Sequence, residues 1–262
     1  MKMVFLKKPL ASYIRHFSRQ MNPLESLQSL WNEFKLIFRY SGRRLLLFLG
    51  SSWPGGYQNS RRKELAYVLV VINLLDRADR RSLISQHLDD LSIPAVFSPG
   101  VHHESGAIGC GLAHLLALES PRSDETELVI IAEDDLEFLT SRRVIEELLS
   151  EFCANEALDV LCIGNNVKGN VIPVSSGLGI TSNTQTTSCY AVKTTSRELI
   201  IENFRDAVEN LKAGKGRSEF AIDIHWKKLQ RSKLIFSVPN RKIAQQRESF
   251  SDIEKKWVKY EL

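Results

Sequence analysis

Apolar and polar positions along this chain fall into blocks whose period changes from one block to the next. Residues 65–74, LAYVLVVINL, are almost continuously aliphatic and β-branched, as in a strand buried on both faces. Residues 79–91 switch to steps of three and four, which predicts a helix. A short strand over 95–98, a helix over 108–119 and a second apolar run from Leu128 to Ala132 follow. Beyond these the pattern predicts a helix over 141–152 with Ser141 as its cap and strands over 157–163 and 186–192. Helices over 196–211 and 219–230 and a strand over 234–238 complete it. Strands alternating with helices predict an α/β domain around a mostly parallel central sheet. Residues 167–187 interrupt the rhythm: they lack apolar periodicity, are rich in Gly, Ser, Thr and Asn, and read as a long loop of the kind that covers a binding site.

Upstream, Leu24, Leu27, Leu30, Trp31, Phe34, Ile37 and Phe38 recur at helical steps among Lys and Arg, so 24–40 reads as an amphipathic helix. Two readings stand side by side. Such a segment can lie on an anionic membrane surface, or it can pack on the following domain or on a partner. Residues 51–60, SSWPGGYQNS, read as a linker. The boundary is placed near 62, giving a basic helical N-terminal extension over 1–62 and a domain over 63–262. Charge supports the division. Residues 1–62 hold 11 Lys+Arg against Glu25 and Glu33, or +9, while the remainder holds 24 against 29, or −5. A basic arm on a mildly acidic domain points to an anionic surface as the arm's partner.

Cys110, Cys153, Cys162 and Cys189 are scattered, without zinc or disulfide spacing, and Cys162 in its apolar run reads as a small buried hydrophobe. No stretch reaches the roughly 18 apolar residues that span a bilayer. The run RRLLLFLG at 43–50 is too short and too far along for a standard secretory signal. The expectation is a chain that is neither exported nor membrane-spanning.

The candidate chemistry begins where the second apolar run ends, in Glu133, Asp134 and Asp135. Ligands of open α/β sheets bind beyond the carboxyl ends of the strands. Three carboxylates there repel one another unless a cation sits among them. A hard divalent ion, Mn²⁺ or Mg²⁺, takes oxygen ligands and bridges to phosphate, which points to a nucleotide-linked substrate. Alone, the motif fits an acidic helix cap equally well. Arg77, Arg80 and Arg81 stand where the first strand gives way to a helix, suited to phosphate or to pairing with Asp76 and Asp79. Gly106, Gly109 and Gly111 open the next helix, where free N–H groups attract anions. His114 follows on that helix.

Taken in order, these pieces resemble glycosyltransferase family 25, the lipopolysaccharide-type glycosyltransferases. Asn73–Leu74 with Asp79–Arg80–Arg81, then Gly106–Gly109–Cys110–His114, then Glu133–Asp134–Asp135 match the family's leading motifs. TTSCYAV at 186–192, IDIHW at 222–226 and PNRKIAQQRESFSDIE at 239–254 resemble its later ones, so the likeness runs over about 66–254. Ala113 stands where the family usually has Ser. The resemblance implies a GT-A type, Rossmann-like fold, a UDP-linked or other nucleotide-sugar donor, and a metal at the acidic motif. It also implies transfer, often of galactose, to a lipopolysaccharide or lipooligosaccharide glycan. The implied setting is cytoplasmic, at the inner face of the inner membrane, which the basic arm suits.

From this follow expected roles. Asp135 and Glu133 hold the cation, with Asp134 beside them. Asn73, Arg77, Arg80, Gly109, His114 and Asp134 face the donor. Asp223 is the general base of an inverting transfer, with a solvated helix-face acid near Lys227 as its bland alternative. His225 is a further metal or phosphate contact. Gln245, Gln246, Ser251 and Asp252 close over the donor or cap a final helix. Two rivals remain in view. One is a non-catalytic glycosyltransferase-like domain that binds a nucleotide or partner enzyme. The other is a nucleotidyltransferase, against which stands the absence of glycine after the first strand. Nucleic acid is disfavoured as a partner, since the arm matches no known binding motif.

Overall fold

The computed structural model describes residues 23–50, 65–120, 126–251 and 256–258, with side chains over 27–47, 65–120 and 126–248. The expected linker over 51–60 and the boundary near 62 lie outside these residues. Helix α1 (Pro23–Gly50) precedes the sheet domain. The domain then runs β1 (Tyr67–Asn73), α2 (Ala78–Asp90), β2 (Ala95–Pro99), α3 (Gly106–Glu119), β3 (Leu128–Glu133), β4 (Leu136–Phe138), α4 (Arg142–Ala154) and β5 (Val160–Val167). Next come β6 (Ile172–Pro173), β7 (Leu178–Thr181), β8 (Thr184–Lys193) and α5 (Thr194–Lys212). Three short helices follow, α6 (Arg217–Phe220), α7 (Ile222–His225) and α8 (Lys227–Ser232). The chain then adds β9 (Phe236–Pro239), β10 (Ala244–Gln246), β11 (Ser249–Ser251) and β12 (Lys256–Val258).

Eight strands form one sheet in the order β2-β1-β3-β8-β5-β9-β7-β6. β1 is parallel to β2 and β3, and β5 to β9, whereas β8 is antiparallel to both β3 and β5 and β7 to both β9 and β6. All strands except β8 and β7 therefore point one way. The architecture is the expected α/β one, with a Rossmann-like first half running from β1 to β3.

Continuous apolar strands are explained by cover on both faces. Val70, Ile72, Val129, Ile131 and Tyr190 face one core, packed on α3, α5 and the α6–α8 run through Leu118, Phe204 and Trp226. Leu69, Val71, Ile130, Ala132 and Cys189 face the other, packed on α2 and α4 through Ile84, Leu149 and Phe152. Successive residues of one strand thus feed opposite cores, as the period of two requires. Cys162 is fully buried, as its apolar run implied, and all four cysteines are free.

Three expectations are corrected. Residues 167–187 are not one loop. They contain β6, β7 and the start of β8, with Leu178, Ile180 and Thr181 buried. Their polar and glycine content hid strands whose stability comes from pairing with β9 and β5. The helix expected over 219–230 is broken at Ala221, whose ψ of 138° takes it out of the helical region. Ser141 caps α4 by position only, without a side-chain hydrogen bond.

α1 packs on the domain. Its Leu36 is fully buried in the second core. Arg39 donates to the carbonyl of Gln230 at 2.6 Å, and Glu33 accepts from Asn170 at 2.7 Å. Arg43 reaches Asp159, a buried carboxylate at the foot of β5 that also accepts from the Ser196 hydroxyl at 2.8 Å and the Ile235 N–H at 2.7 Å. One carboxylate thereby ties α1, β5, α5 and the approach to β9. Among the described residues, no helix is long and apolar enough to cross a membrane. Removing the carboxylate leaves two buried donors, the Ser196 hydroxyl and the Ile235 N–H, without their acceptor and takes the ionic partner from Arg43, which keeps the Ala157 and Lys233 carbonyls. Asp159→Ala is therefore expected to destabilise the fold by about 2–4 kcal/mol, read as a lower midpoint in chemical denaturation. Arg43→Ala, whose side chain is one-third exposed, is expected to cost less.

Candidate functional site

β3 does not carry on through the acidic triplet. It ends on Glu133, Asp134 and Asp135 form a turn, and β4 begins at Leu136. The three carboxylates consequently take different partners. Asp134 turns inward to β1 and α2, accepting from the Asn73 amide at 2.8 Å and from Arg80 at 2.8 Å. Asp135 lies 3.6 Å from the same guanidinium and accepts from the Gln246 amide at 3.3 Å, while its carbonyl accepts the Arg247 N–H at 2.7 Å. Glu133 accepts from the Thr187 hydroxyl at 3.4 Å and sits 3.6 Å from His114 Nε2.

Two later segments close on this turn. β10 pairs antiparallel with β4, Gln246 opposite Leu136, which delivers Gln246 and Arg247 to Asp135. Gln245 bonds Glu137 at 2.8 Å. These glutamines therefore lie in a strand and cap no final helix. Asp252 and the side chain of Ser251 lie outside the described residues. The second segment is α7. Its Asp223 accepts hydrogen bonds from the Gln185 side chain and the Thr186 N–H, and Lys227 Nζ donates to Gln185 at 3.1 Å. Thr186 holds a φ of +74°. A β-branched residue there is strained by roughly 1–3 kcal/mol, and the strain sits where its N–H meets Asp223.

The electrostatics of the three carboxyls reflect burial first. Burial raises Asp135 most, the Glu133 charge adds to it, and Arg80 opposes both; the carboxyl ionises at about 7. Burial also raises Asp134, with the Asn73 and Arg80 contacts working against it. Asp223 is raised by burial and by the Glu133 charge, and lowered by Gln185 and Lys227. Glu133 thus acts on both Asp135 and Asp223, although 223 lies far along the chain.

The remaining candidates fall as follows. The Asn73 amide nitrogen is spent on Asp134 and the Arg77 carbonyl, while its buried oxygen has no protein partner among the described residues. Arg77 clasps Asp79 with two 3.0 Å contacts. Arg81 lies over the Phe97 ring. A Cβ on Gly109 would come within 2.5 Å of the Val101 carbonyl, and one on Gly111 equally near Val208, so both glycines serve close packing of α3. His114 is buried, its Nδ1 3.1 Å from the Tyr190 hydroxyl. His225 turns away from the acidic turn to Asp206 at 2.7 Å. Cys110 is partly buried, and desolvation with the nearby Glu133 and Asp223 charges pushes its thiol well up, which makes it no nucleophile. Gln185, Thr186 and Thr187 escaped sequence reasoning, since nothing in a Gln-Thr-Thr run signals a positive φ.

Among the described residues no group of three His, Cys, Asp or Glu side chains is placed to hold a metal ion. Asp135 and Glu133 still fit a hard cation by donor chemistry. Both offer carboxylate oxygens, and Asp135 is a buried acid whose ionisation a positive charge would favour.

No protein-family model and no curated protein matches the chain. Solved structures of similar shape include the mannose-1-phosphate geranyltransferase of Thermus thermophilus, at 12% identity and TM-score 0.41, covering 71% of this chain and 75% of that one. A glycosyltransferase involved in glycosylation of the major capsid of PBCV-1 aligns at 6% identity and TM-score 0.37, covering 65% and 91%. A Drosophila β1,4-galactosyltransferase 7 mutant in complex with manganese, UDP-Gal and xylobiose aligns at 11% identity and TM-score 0.32, covering 73% and 98%. Likeness at these scores assigns no activity.

Asp135 generates a stability prediction. Its folded carboxyl ionises above its unfolded value of about 4. Between those values the native state binds more protons than the unfolded one, so this contribution to stability falls as pH rises through 7. Asp135→Asn should remove that fall. In metal-free protein melted between about pH 5 and 8, the variant is expected to gain on the wild type as pH rises; parallel curves would refute the assignment.

Proposed function

We propose that this chain is a GT-A type glycosyltransferase. It moves a galactose-type sugar from a UDP-linked donor to a glycan acceptor such as lipopolysaccharide or lipooligosaccharide, with inversion, in a cytoplasmic setting. The motif likeness to glycosyltransferase family 25 supplies the donor and acceptor classes. One juxtaposition carries the reading: at the start of β8 the Thr187 hydroxyl bonds Glu133 and the adjacent Thr186 N–H bonds Asp223, which links an acid of α7 to the acidic turn at the carboxyl end of β3. That pairing gives the two functions glycosyl transfer needs, a place for the departing diphosphate and a base for the incoming hydroxyl.

In this proposal Asp135 and Glu133 would hold Mn²⁺ or Mg²⁺. When bound there, it would supply positive charge against the negative charge growing on the leaving diphosphate. Asp134 does not ligate; it anchors Asn73 and Arg80. The open oxygen of Asn73 accepts from the nucleoside, and Arg77 lies beside it on the donor side. Arg80 is the guanidinium nearest a diphosphate on Asp135. Gly109 lets α3 close on the loop before it, and His114 fixes Glu133 from behind. Asp223 takes the proton of the acceptor hydroxyl, its raised proton affinity making it a better base than a solvated carboxylate.

One observation favours a second reading. Arg80 already pairs with Asp134 and lies 3.6 Å from Asp135, and no three-ligand group forms among the described residues. A domain that binds a nucleotide without turnover would look the same.

Titration calorimetry with UDP separates the two. Wild type is expected to bind UDP at least roughly tenfold more tightly with Mn²⁺ than without, and Asp135→Ala to lose that gain. Asp223→Asn is expected to keep metal-dependent UDP binding while transfer from a UDP-sugar falls by roughly 10²–10⁴. Metal-dependent binding without turnover in the wild type would favour the second reading. Absence of UDP binding would remove the proposed donor.

A further inference from the structure

α1 reverses the usual order of an amphipathic helix. Its inward face is largely polar, holding the domain through Glu33, Arg39 and Arg43, with Leu36 its one fully buried apolar side chain among the described residues. Its outward face is apolar. At 3.6 residues per turn, Leu27, Trp31, Phe34, Phe38 and Leu45 fall on one line, 62%, 52%, 59%, 72% and 58% exposed. Trp31 and Phe34 stack with ring centroids 5.9 Å apart. The line is roughly 27 Å long at the rise of an α-helix. An exposed apolar surface of that extent marks an interaction site.

We propose that this outer face of α1 seats the protein on an anionic lipid surface. The charges beside the stripe select that occupant. Lys35 lies on one shoulder, its Nζ 5.1 Å over the Trp31 ring, and the exposed Arg44 lies on the other. Arg231, from α8, adds a third cation along a shallow groove walled by Trp31, Phe34 and Phe38. The one acidic side chain described on α1, Glu33, is turned inward to Asn170. Aromatic rings at the acyl boundary with lysine and arginine reaching the phosphates is the arrangement of an interfacial helix lying in the membrane plane. The first 62 residues, with 11 Lys+Arg against two Glu, add the same sign of charge. A second copy of this chain is a poorer occupant, because stripe laid on stripe would oppose cationic shoulders to cationic shoulders.

The tie between Glu33 and Asn170 also sets the geometry. Asn170 follows the carboxyl end of β5, the end of the sheet at which Asn73 and Glu133 lie. The amino-terminal half of the stripe therefore sits toward the same end of the domain as the acidic turn. The lipid contact itself does not depend on the transferase reading.

The test is co-sedimentation of the full chain with vesicles of phosphatidylcholine alone or with one-third phosphatidylglycerol. The wild type is expected to bind the anionic vesicles at least roughly tenfold more strongly than neutral ones, less so as salt rises. The triple variant Trp31→Ser, Phe34→Ser, Phe38→Ser is expected to lose that binding by roughly tenfold or more with its melting temperature and UDP affinity unchanged. Should the triple variant melt early, Phe38→Asp alone, at the most exposed point of the stripe, gives the same readout. Wild type that stays in the supernatant overturns the proposal. So does a folded variant that binds as the wild type does, which would locate the contact elsewhere in the basic arm. A dimer in light scattering that the variant abolishes, without effect on vesicle binding, would assign the stripe to self-association instead.

Discussion

The buried carboxylate of Asp134 is the constraint on which the site depends. Buried at the first position after a strand, it is costly unless donors in the protein satisfy it. It finds them on two other elements, Asn73 at the end of β1 and Arg80 in the first turns of α2. Those contacts fix the turn that ends β3, and with it the place of Asp135 beside Arg80 and Gln246. A strand continuing through the triplet would have placed Glu133 and Asp135 on one face and left Asp134 against the core. The clasp also explains why Arg80 lies close to Asp135: a guanidinium recruited for one carboxylate comes within 3.6 Å of the next. A structural pairing and a candidate functional charge are therefore the same side chain.

Legibility in the sequence follows burial. β1 and β3 were readable because both of their faces are covered, so their composition carried the signal without help from neighbours. β6 and β7 were not, because glycine, serine and threonine become strand residues there only by pairing with strands from elsewhere in the chain. The same division holds at the site. The acidic triplet announced itself as three charges after an apolar run. The approach of Asp223 to Glu133 could not be read from spacing, because it depends on α7 folding back over the start of β8. The positive φ of Thr186 was beyond reach for a different reason. Local preference argues against it, and the surrounding hydrogen bonds override that preference.

α1 shows that a correct helix assignment leaves orientation undecided. The periodicity of Leu, Trp and Phe predicted an amphipathic helix, and by ordinary reasoning the aromatic side would pack inward. In the molecule the polar side packs inward, where Arg39 and Arg43 meet acceptors formed by Asp159 and the carbonyls of Ala157, Gln230 and Lys233. Hydrogen-bonding need at the domain surface, more than apolar area, chose which side faces the sheet.

The pairing of β10 with β4 has a consequence for how the protein is made. Residues 136–138 emerge from a ribosome about a hundred residues before 244–246, their hydrogen-bonding partners. Synthesis runs at about 5–20 residues per second, so for several seconds the acidic turn exists with its outer edge unpaired and without Gln246 or Arg247 beside Asp135. Translation speed between these two segments, a property of the messenger and not of the fold, therefore sets how long the edge of β4 waits for its partner.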